Sequence, residues 1–313
     1  MKISVIGGGI MGTNHIRVLK TLGHEVIAIE AKEARSQELY NLFGIKVYSN
    51  LEDAKVENTE AYVVATPTTT HFPLVKWILE NDRKPVLIEK PVCATIEEAM
   101  QIKALAQDTL VMVGHIEHYN PIVNYTKKFL ENTKVKLINT YRLGFNNRTE
   151  DTGVVSDLAI HDIGVVSHIL DSKITEVIAY ILINEATGHE NYGRLSYRFE
   201  NGIIGSSEVS WIHPEKIRKI EVVYNDSKGD SHMVSDYLEQ TLTWSRPGSS
   251  QLSSQSQKDT LKREETLKLE LQDFVNAVQT GSKPLVTLDD GINALKVIEA
   301  SYEAFRTGKV VKL

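Results

Sequence analysis

The chain has 313 residues, 42% hydrophobic and 24% charged, a balance that excludes a disordered or fibrous protein and leaves room for about two domains. A formal charge of −6 offers no basic face for nucleic acid, and no apolar run approaches the roughly 20 residues that cross a bilayer. The single cysteine, Cys93, rules out an intramolecular disulfide and fits a reducing cytoplasm, and the N-terminus opens on a strand pattern instead of a signal peptide.

From the N-terminus, short apolar runs alternate with helical patterns, the signature of a parallel sheet covered by helices. Strands are expected at 2–6, 25–29, 61–65, 86–88 and 110–113, with helices at 11–22, 34–43, 70–81 and 96–108 between them. Thr95 with Glu98 three residues on reads as a capping box. The rhythm changes after Pro121. Strand-like stretches at 135–143, 175–182, 192–199, 203–210 and 219–224 indicate a large, mostly antiparallel open sheet in an α+β domain. The segment 245–258, "SRPGSSQLSSQSQK", is the most polar part of the chain and reads as a mobile loop, a solvated hairpin tip or an insertion. Amphipathic helices follow at 264–279 and 289–306. The fold class is therefore α/β, a doubly wound Rossmann domain over 1–120 followed by an α+β domain over 121–313.

Gly7-x-Gly9-x-x-Gly12 follows a strand and opens a helix, and Ile10 and Met11 within the loop are expected at the cofactor with the glycines. The first glycine permits a tight turn, the second lets backbone approach a pyrophosphate, and the third lets helix and strand pack closely. Glu30 ends the second strand, where a carboxylate accepts from adenosine ribose hydroxyls and repels a 2′-phosphate. NAD is favoured over NADP, although Lys32 and Arg35 lie close by in sequence. Thr66, Pro67 and His71 fall at the carboxyl edge of the sheet, where ligands bind in such folds; Thr70 or His71 alternatively just starts a helix.

The stretch "VLIEKPV" delivers Glu89, Lys90 and Pro91 to the same edge. A lysine beside bound nicotinamide can hydrogen-bond a hydroxyl under oxidation; the plainer reading is a solvated ion pair on a loop. Cys93 is either a reactive thiol or, as is usual beside apolar neighbours, packing. In "SDLAIHDIG", Asp157 and His161 stand four apart, on one face of a helix. They read equally as a general base with its carboxylate or as a helix-start acid with an inert histidine. His115-x-x-His118 lacks an assured third ligand, so no metal is assigned.

These elements, in this order, resemble the family of glucose-fructose oxidoreductase and inositol 2-dehydrogenase. The matching residues are the glycine loop, "ATPTTTH", "EKP" at 89–91 and Asp157-x-x-x-His161-Asp162, and "LELQDFVNAV" and "LDDGINALKVIEAS" extend the likeness to the whole chain. The resemblance implies an NAD-dependent sugar dehydrogenase with His161 as base, Lys90 positioning the hydroxyl and Asp157 orienting substrate or histidine. Glu89 and Lys90 would also touch the cofactor. It implies too that the C-terminal sheet builds a homodimer or homotetramer.

"VGHIEHYNP" and "VSWIHPEKIRKIEV" resemble the nucleotide-sugar branch, the UDP-N-acetylglucosamine 3-dehydrogenases. That branch points to oxidation at C3 and to His118, Tyr119 and Asn120 at the substrate, with a histidine at 118 where relatives carry arginine. Arg142 and Arg148 are either diphosphate contacts or surface charge. The alternatives are a dehydrogenase of a free polyol or monosaccharide, and a non-catalytic NAD-binding sensor.

Overall fold

The computed structural model describes residues 1–145, 152–227, 229–247 and 254–313. Its backbone divides into two compact units, Met1–Ile116 with Glu265–Ile292, and Glu117–Glu264 with Asn293–Leu313.

The first unit alternates strand and helix: β1 (Lys2–Ile6), α1 (Ile10–Thr21), β2 (Glu25–Ile29), α2 (Glu33–Phe43), β3 (Val47–Tyr48), the single turn α3 (Leu51–Ala54), β4 (Ala61–Val64), α4 (His71–Asn81), β5 (Val86–Glu89), α5 (Ile96–Ala106) and β6 (Val111–Gly114). The strands lie in the order β3-β2-β1-β4-β5-β6, all parallel. In β4, β5 and β6 every residue is buried, as expected of strands covered on both faces. Parallel pairing brings the carboxyl ends of β1, β4, β5 and β6 to one edge. Thr95 caps α5 by accepting from the Glu98 N–H at 3.2 Å, while the Glu98 carboxylate reaches back to the Ala94 N–H.

In the second unit come α6 (Pro121–Leu130), β7 (Lys134–Phe145), α7 (Ile160–Leu170), β8 (Ile174–Ile183), β9 (Glu190–Phe199), β10 (Ile204–Ser210), β11 (Ile212–Asp226), β12 (Gly229–Asp236), β13 (Thr241–Pro247) and β14 (Ser254–Thr260). The chain then adds α8 (Thr266–Thr280), α9 (Leu288–Thr307) and β15 (Val311–Lys312). The sheet runs β14-β13-β12-β11-β7-β10-β9-β8-β15. Only β7 and β10 pair in parallel among the described strands, and the remaining neighbours are antiparallel. Residues of α6, α7 and α9 share an apolar core with the inward positions of this sheet, among them Leu195, Phe199, Val209 and Tyr224.

The opposite face stays open. Along β8, Val177, Ala179 and Ile181 face the core while Tyr180 and Leu182 are 66% and 55% exposed. With Ile204 of β10 they put apolar surface among the Arg194–Glu208 and Arg198–Glu176 ion pairs.

Two readings of the sequence change here. The polar segment 245–258 is not simply a loop: Ser245 pairs with Ser256 and Thr243 with Lys258 in an antiparallel ribbon. β14 sits at the sheet edge, largely exposed on both faces, so its composition carries no apolar alternation. And α8, placed by the sequence in a 121–313 domain, groups with the first unit, where it packs on α1 and buries Leu267, Leu271 and Phe274.

Candidate active site

At the carboxyl edge of β1 the chain turns through Gly7, whose φ of 95° lies in the region that favours glycine. A Cβ on Gly12 would stand 1.8 Å from the Gly7 carbonyl oxygen, so only glycine lets α1 start this close to the loop. Gly9 has no atom within 4 Å of where its Cβ would point, which leaves its backbone open to a ligand. Gly9 is also the N-cap of α1 with no side-chain cap, and the first turn holds no acid, so the helix start retains donors and positive dipole for a pyrophosphate. Ile10 is 70% exposed at this edge, with Met11 beside it half-buried.

Glu30 is held facing the loop: Oε2 accepts from the Gly8 N–H at 2.7 Å and Oε1 from the Lys32 N–H at 2.8 Å. The remaining lone pairs of a fixed carboxylate suit ribose hydroxyls. Arg35 does not compete for a phosphate. Its guanidinium donates to the Gly8 carbonyl and Thr13 Oγ1, each at 2.5 Å, and pairs with Glu38. These residues fit NAD.

Thr66 and Pro67 follow β4, and Thr66 Oγ1 accepts from the Thr70 hydroxyl. His71, expected near the cofactor, is 1% exposed, with Nε2 2.9 Å from the Thr66 carbonyl and Nδ1 2.9 Å from the Pro91 carbonyl. It ties the β4 and β5 loops together. Burial lowers its pKa against both backbone contacts, and a neutral ring, with a single N–H, donates to one of the two carbonyls at a time. Lys90 leaves the end of β5 half-buried, before a cis peptide to Pro91.

Glu89, placed by the sequence at the cofactor, instead turns inward: its Oε1 lies 2.8 Å from His15 Nε2. The sequence reading missed His15, three residues past Gly12. It missed Glu270 as well, whose place in an amphipathic helix pattern gave no sign of complete burial. Cys93 is fully buried, and burial, followed by the Glu98 charge, pushes its thiol up to about 12; it is packing.

In the second unit, Asp157 lies half-buried on a π-helical turn, Val155–Ala159, that runs straight into α7 with His161 near its start. Such turns widen the helix, so Asp157 and His161 are not spaced as in a regular α-helix. Ser156 in that turn bonds the Tyr302 hydroxyl at 2.8 Å, and Tyr302 donates onward to Glu190.

Four expected substrate residues, Arg142, Asn120, Tyr119 and His118, are buried. Arg142, read as a diphosphate contact or surface charge, is 4% exposed; it meets Asp162 through Nε and Nη2 at 2.9 Å and Glu117 through Nη1 at 2.8 Å. Alternation along β7 turns it inward with Ile138 and Thr140, so its fork is spent on buried Asp162 and half-buried Glu117. Asn120 caps α6: its Oδ1 accepts from the Ile122 N–H at 3.3 Å and from Gln240 at 2.8 Å. Tyr119 is 5% exposed. His118 is buried too, its ring 5.3 Å from that of His168. Arg148 lies outside the described residues.

Glycine loop, uncapped helix start and a ribose-facing acid define the class of the first unit: a dinucleotide-binding Rossmann fold. Residues 1–116 match the oxidoreductase family's NAD-binding Rossmann fold and residues 130–313 its C-terminal alpha/beta domain, so the chain belongs to the GFO/IDH/MocA family of NAD-binding oxidoreductases. It is similar to UDP-N-acetylglucosamine 3-dehydrogenase of Acidithiobacillus ferrooxidans, 23% identical over 97% of this chain and 96% of that one. It is also similar to scyllo-inositol 2-dehydrogenase (NAD(+)) of Bacillus subtilis, 26% identical over 100% and 96%. Among solved structures, UDP-N-acetylglucosamine 3-dehydrogenase GnnA from A. ferrooxidans superposes with a TM-score of 0.86 at 22% identity, covering 98% of both chains.

Proposed function

We propose that the chain oxidises a secondary alcohol of a sugar, C3 of a UDP-N-acetyl-hexosamine, to a 3-keto nucleotide sugar. The observation that carries this reading is the placement of Lys90 at the carboxyl end of β5, on the sheet edge that holds the glycine loop and Glu30. Gly7, Gly9, Ile10, Met11, Gly12 and Glu30, with Thr66 and Pro67 alongside, would hold NAD, which would supply the hydride acceptor. Lys90 hydrogen-bonds the hydroxyl, His161 takes its proton, and Asp157 orients substrate or imidazole. As the C–H hydride leaves carbon and the O–H proton goes to His161, the C–O bond becomes a carbonyl.

A free polyol is the second reading. It is favoured by the burial of Arg142, which removes an expected diphosphate contact, and by a likeness of similar extent to the scyllo-inositol enzyme. We place the enzyme in the cytoplasm as a homodimer or homotetramer whose subunits meet on the open face carrying Tyr180, Leu182 and Ile204. Tyr180→Arg is expected to lower the mass seen by light scattering; an unchanged mass would remove that face from the interface.

The deciding experiment is a screen of purified protein with NAD against UDP-N-acetylglucosamine, other UDP-sugars, inositols and free sugars, read as melting shift and absorbance at about 340 nm. NADH formation with UDP-N-acetylglucosamine supports the first reading. A response to inositols or free sugars alone moves the enzyme to the second, and no turnover with any of them overturns both.

A further inference from the structure

The end of β5 carries a buried acid cluster that proton transfer at His161 and hydrogen bonding by Lys90 leave unused. Glu89 is 8% exposed, and its carboxylate folds back beneath the strand end. Oε1 lies 2.8 Å from His15 Nε2, and Oε2 accepts from the Lys90 backbone N–H at 3.3 Å. Room for the fold-back comes from Gly114, the register partner of Glu89 on β6, where a Cβ would stand 3.3 Å from the carboxyl carbon.

Burial pushes the Glu89 carboxyl up, but the His15 hydrogen bond and charge, followed by the Lys90 ammonium, outweigh it and leave the carboxyl below its ordinary value. An ionised carboxylate only accepts, so His15 Nε2 carries the hydrogen. Glu270 of α8 is fully buried, and burial, then the charges of Glu89 and Asp273, raises its carboxyl well above the usual range. Two more rings face this group. Burial lowers the pKa of His71 of α4, and burial followed by the Lys90 charge pushes His115, just past β6, down to about 4. Within this cluster the ionised carboxylate is that of Glu89, shared between His15 and the Lys90 ammonium.

We propose that the buried His15–Glu89 pair is a positioning unit for Lys90: it pins the backbone from which Lys90 departs and supplies the counter-charge that keeps the ammonium at the sheet edge. The inference rests on the reading of Lys90 as the group that meets the substrate hydroxyl.

Glu89→Gln tests it, since glutamine keeps size and an acceptor but removes the charge. The first readout is competitive acylation of Lys90 by an amine-reactive reagent, followed by peptide mass spectrometry across pH, with and without NAD. Loss of the counter-charge is expected to change the extent of Lys90 labelling at fixed pH at least about threefold. The second readout is turnover of whichever probe, UDP-N-acetylglucosamine or scyllo-inositol, reduces NAD. There kcat is expected to fall about tenfold and NAD affinity to stay within about twofold. Glu89→Asp restores the labelling because it restores the charge. Should Glu89→Gln fail to fold, the double change His15→Leu with Glu89→Met removes the charge without leaving a buried group unpaired and carries the same expectation.

Unchanged labelling and pH profile in a folded variant would overturn the inference while leaving Lys90 catalytic. Wild-type turnover by Lys90→Ala would overturn the reading of Lys90, and the inference with it.

Discussion

Replacing Glu270 by glutamine is expected to stabilise the protein by an amount that grows with pH. The side chain is 0% exposed, and neither carboxyl oxygen has a hydrogen-bonding partner among the described residues. Burial first, and then the charges of Glu89 and Asp273, raises its carboxyl well above the ordinary 4.5. A group whose pKa is raised on folding favours the folded state fully below its unfolded value, and that advantage is lost as pH rises through the folded value. Wild type is therefore expected to lose stability relative to Glu270→Gln at about 1.4 kcal/mol per pH unit over the interval above 4.5 in which Glu270 stays neutral. For a unit of this size that slope corresponds to about 3–6 °C in melting temperature per pH unit. Melting curves of both proteins from about pH 4.5 to 8, taken as a difference at each pH, isolate this group from the other titrations. Adding Glu89→Gln removes the neighbouring charge, so the difference should level off at lower pH. Parallel curves across the whole range would mean that Glu270 titrates like a hydrated carboxyl, and the buried cluster as described would be wrong.

Arg142→Met leaves Asp162, 2% exposed, without its guanidinium. Breaking a buried pair from one side costs about 3–5 kcal/mol, measurable by urea unfolding; a loss below about 1 kcal/mol would show that the pair is hydrated. Gly12→Ala places a methyl 1.8 Å from the Gly7 carbonyl oxygen, so the helix start must shift. Calorimetric titration should show NAD affinity reduced at least about tenfold, about 1.4 kcal/mol, and unchanged affinity would mean the loop is not the phosphate site. Cys93, its thiol pushed up to about 12, should react with a disulfide reagent at pH 8 roughly a thousandfold more slowly in the folded protein than in denaturant. Equal rates would place the thiol at the surface.

What could be read from the chain alone divides by the range of the interaction. The glycine loop is local: turn, close approach and helix start fall within Gly7 to Gly12, so residue type and spacing suffice. Strands β1, β2, β4, β5 and β6 were legible for a similar reason, because burial on both faces demands an unbroken apolar run such as Val86–Glu89 presents up to its last residue, whereas the two half-buried residues of β3 make no such run. β12 escaped because the positions it turns inward include Ser231 and Ser235, and Ser235 is satisfied by a 2.6 Å bond to Thr126 that no pattern announces. For α8 the period identified a helix with an apolar face but not its partner, and the partner proved to be α1.

Charged residues show the limit most sharply. Arg142 has the alternation of a core position, yet its charge argued for the surface or a phosphate; Asp162, 20 residues on, and Glu117, 25 residues before, are what make its burial tolerable. Glu89 and His15 stand 74 residues apart and neither position is unusual by itself. A carboxylate closing a wholly buried strand needs a buried donor to stay ionised, and that requirement is visible in "VLIEKPV" without naming the donor. The donor comes from α1, the helix that also opens the glycine loop. Cofactor loop and Lys90 are thus joined through one helix, and a change that moves α1 should be felt at both.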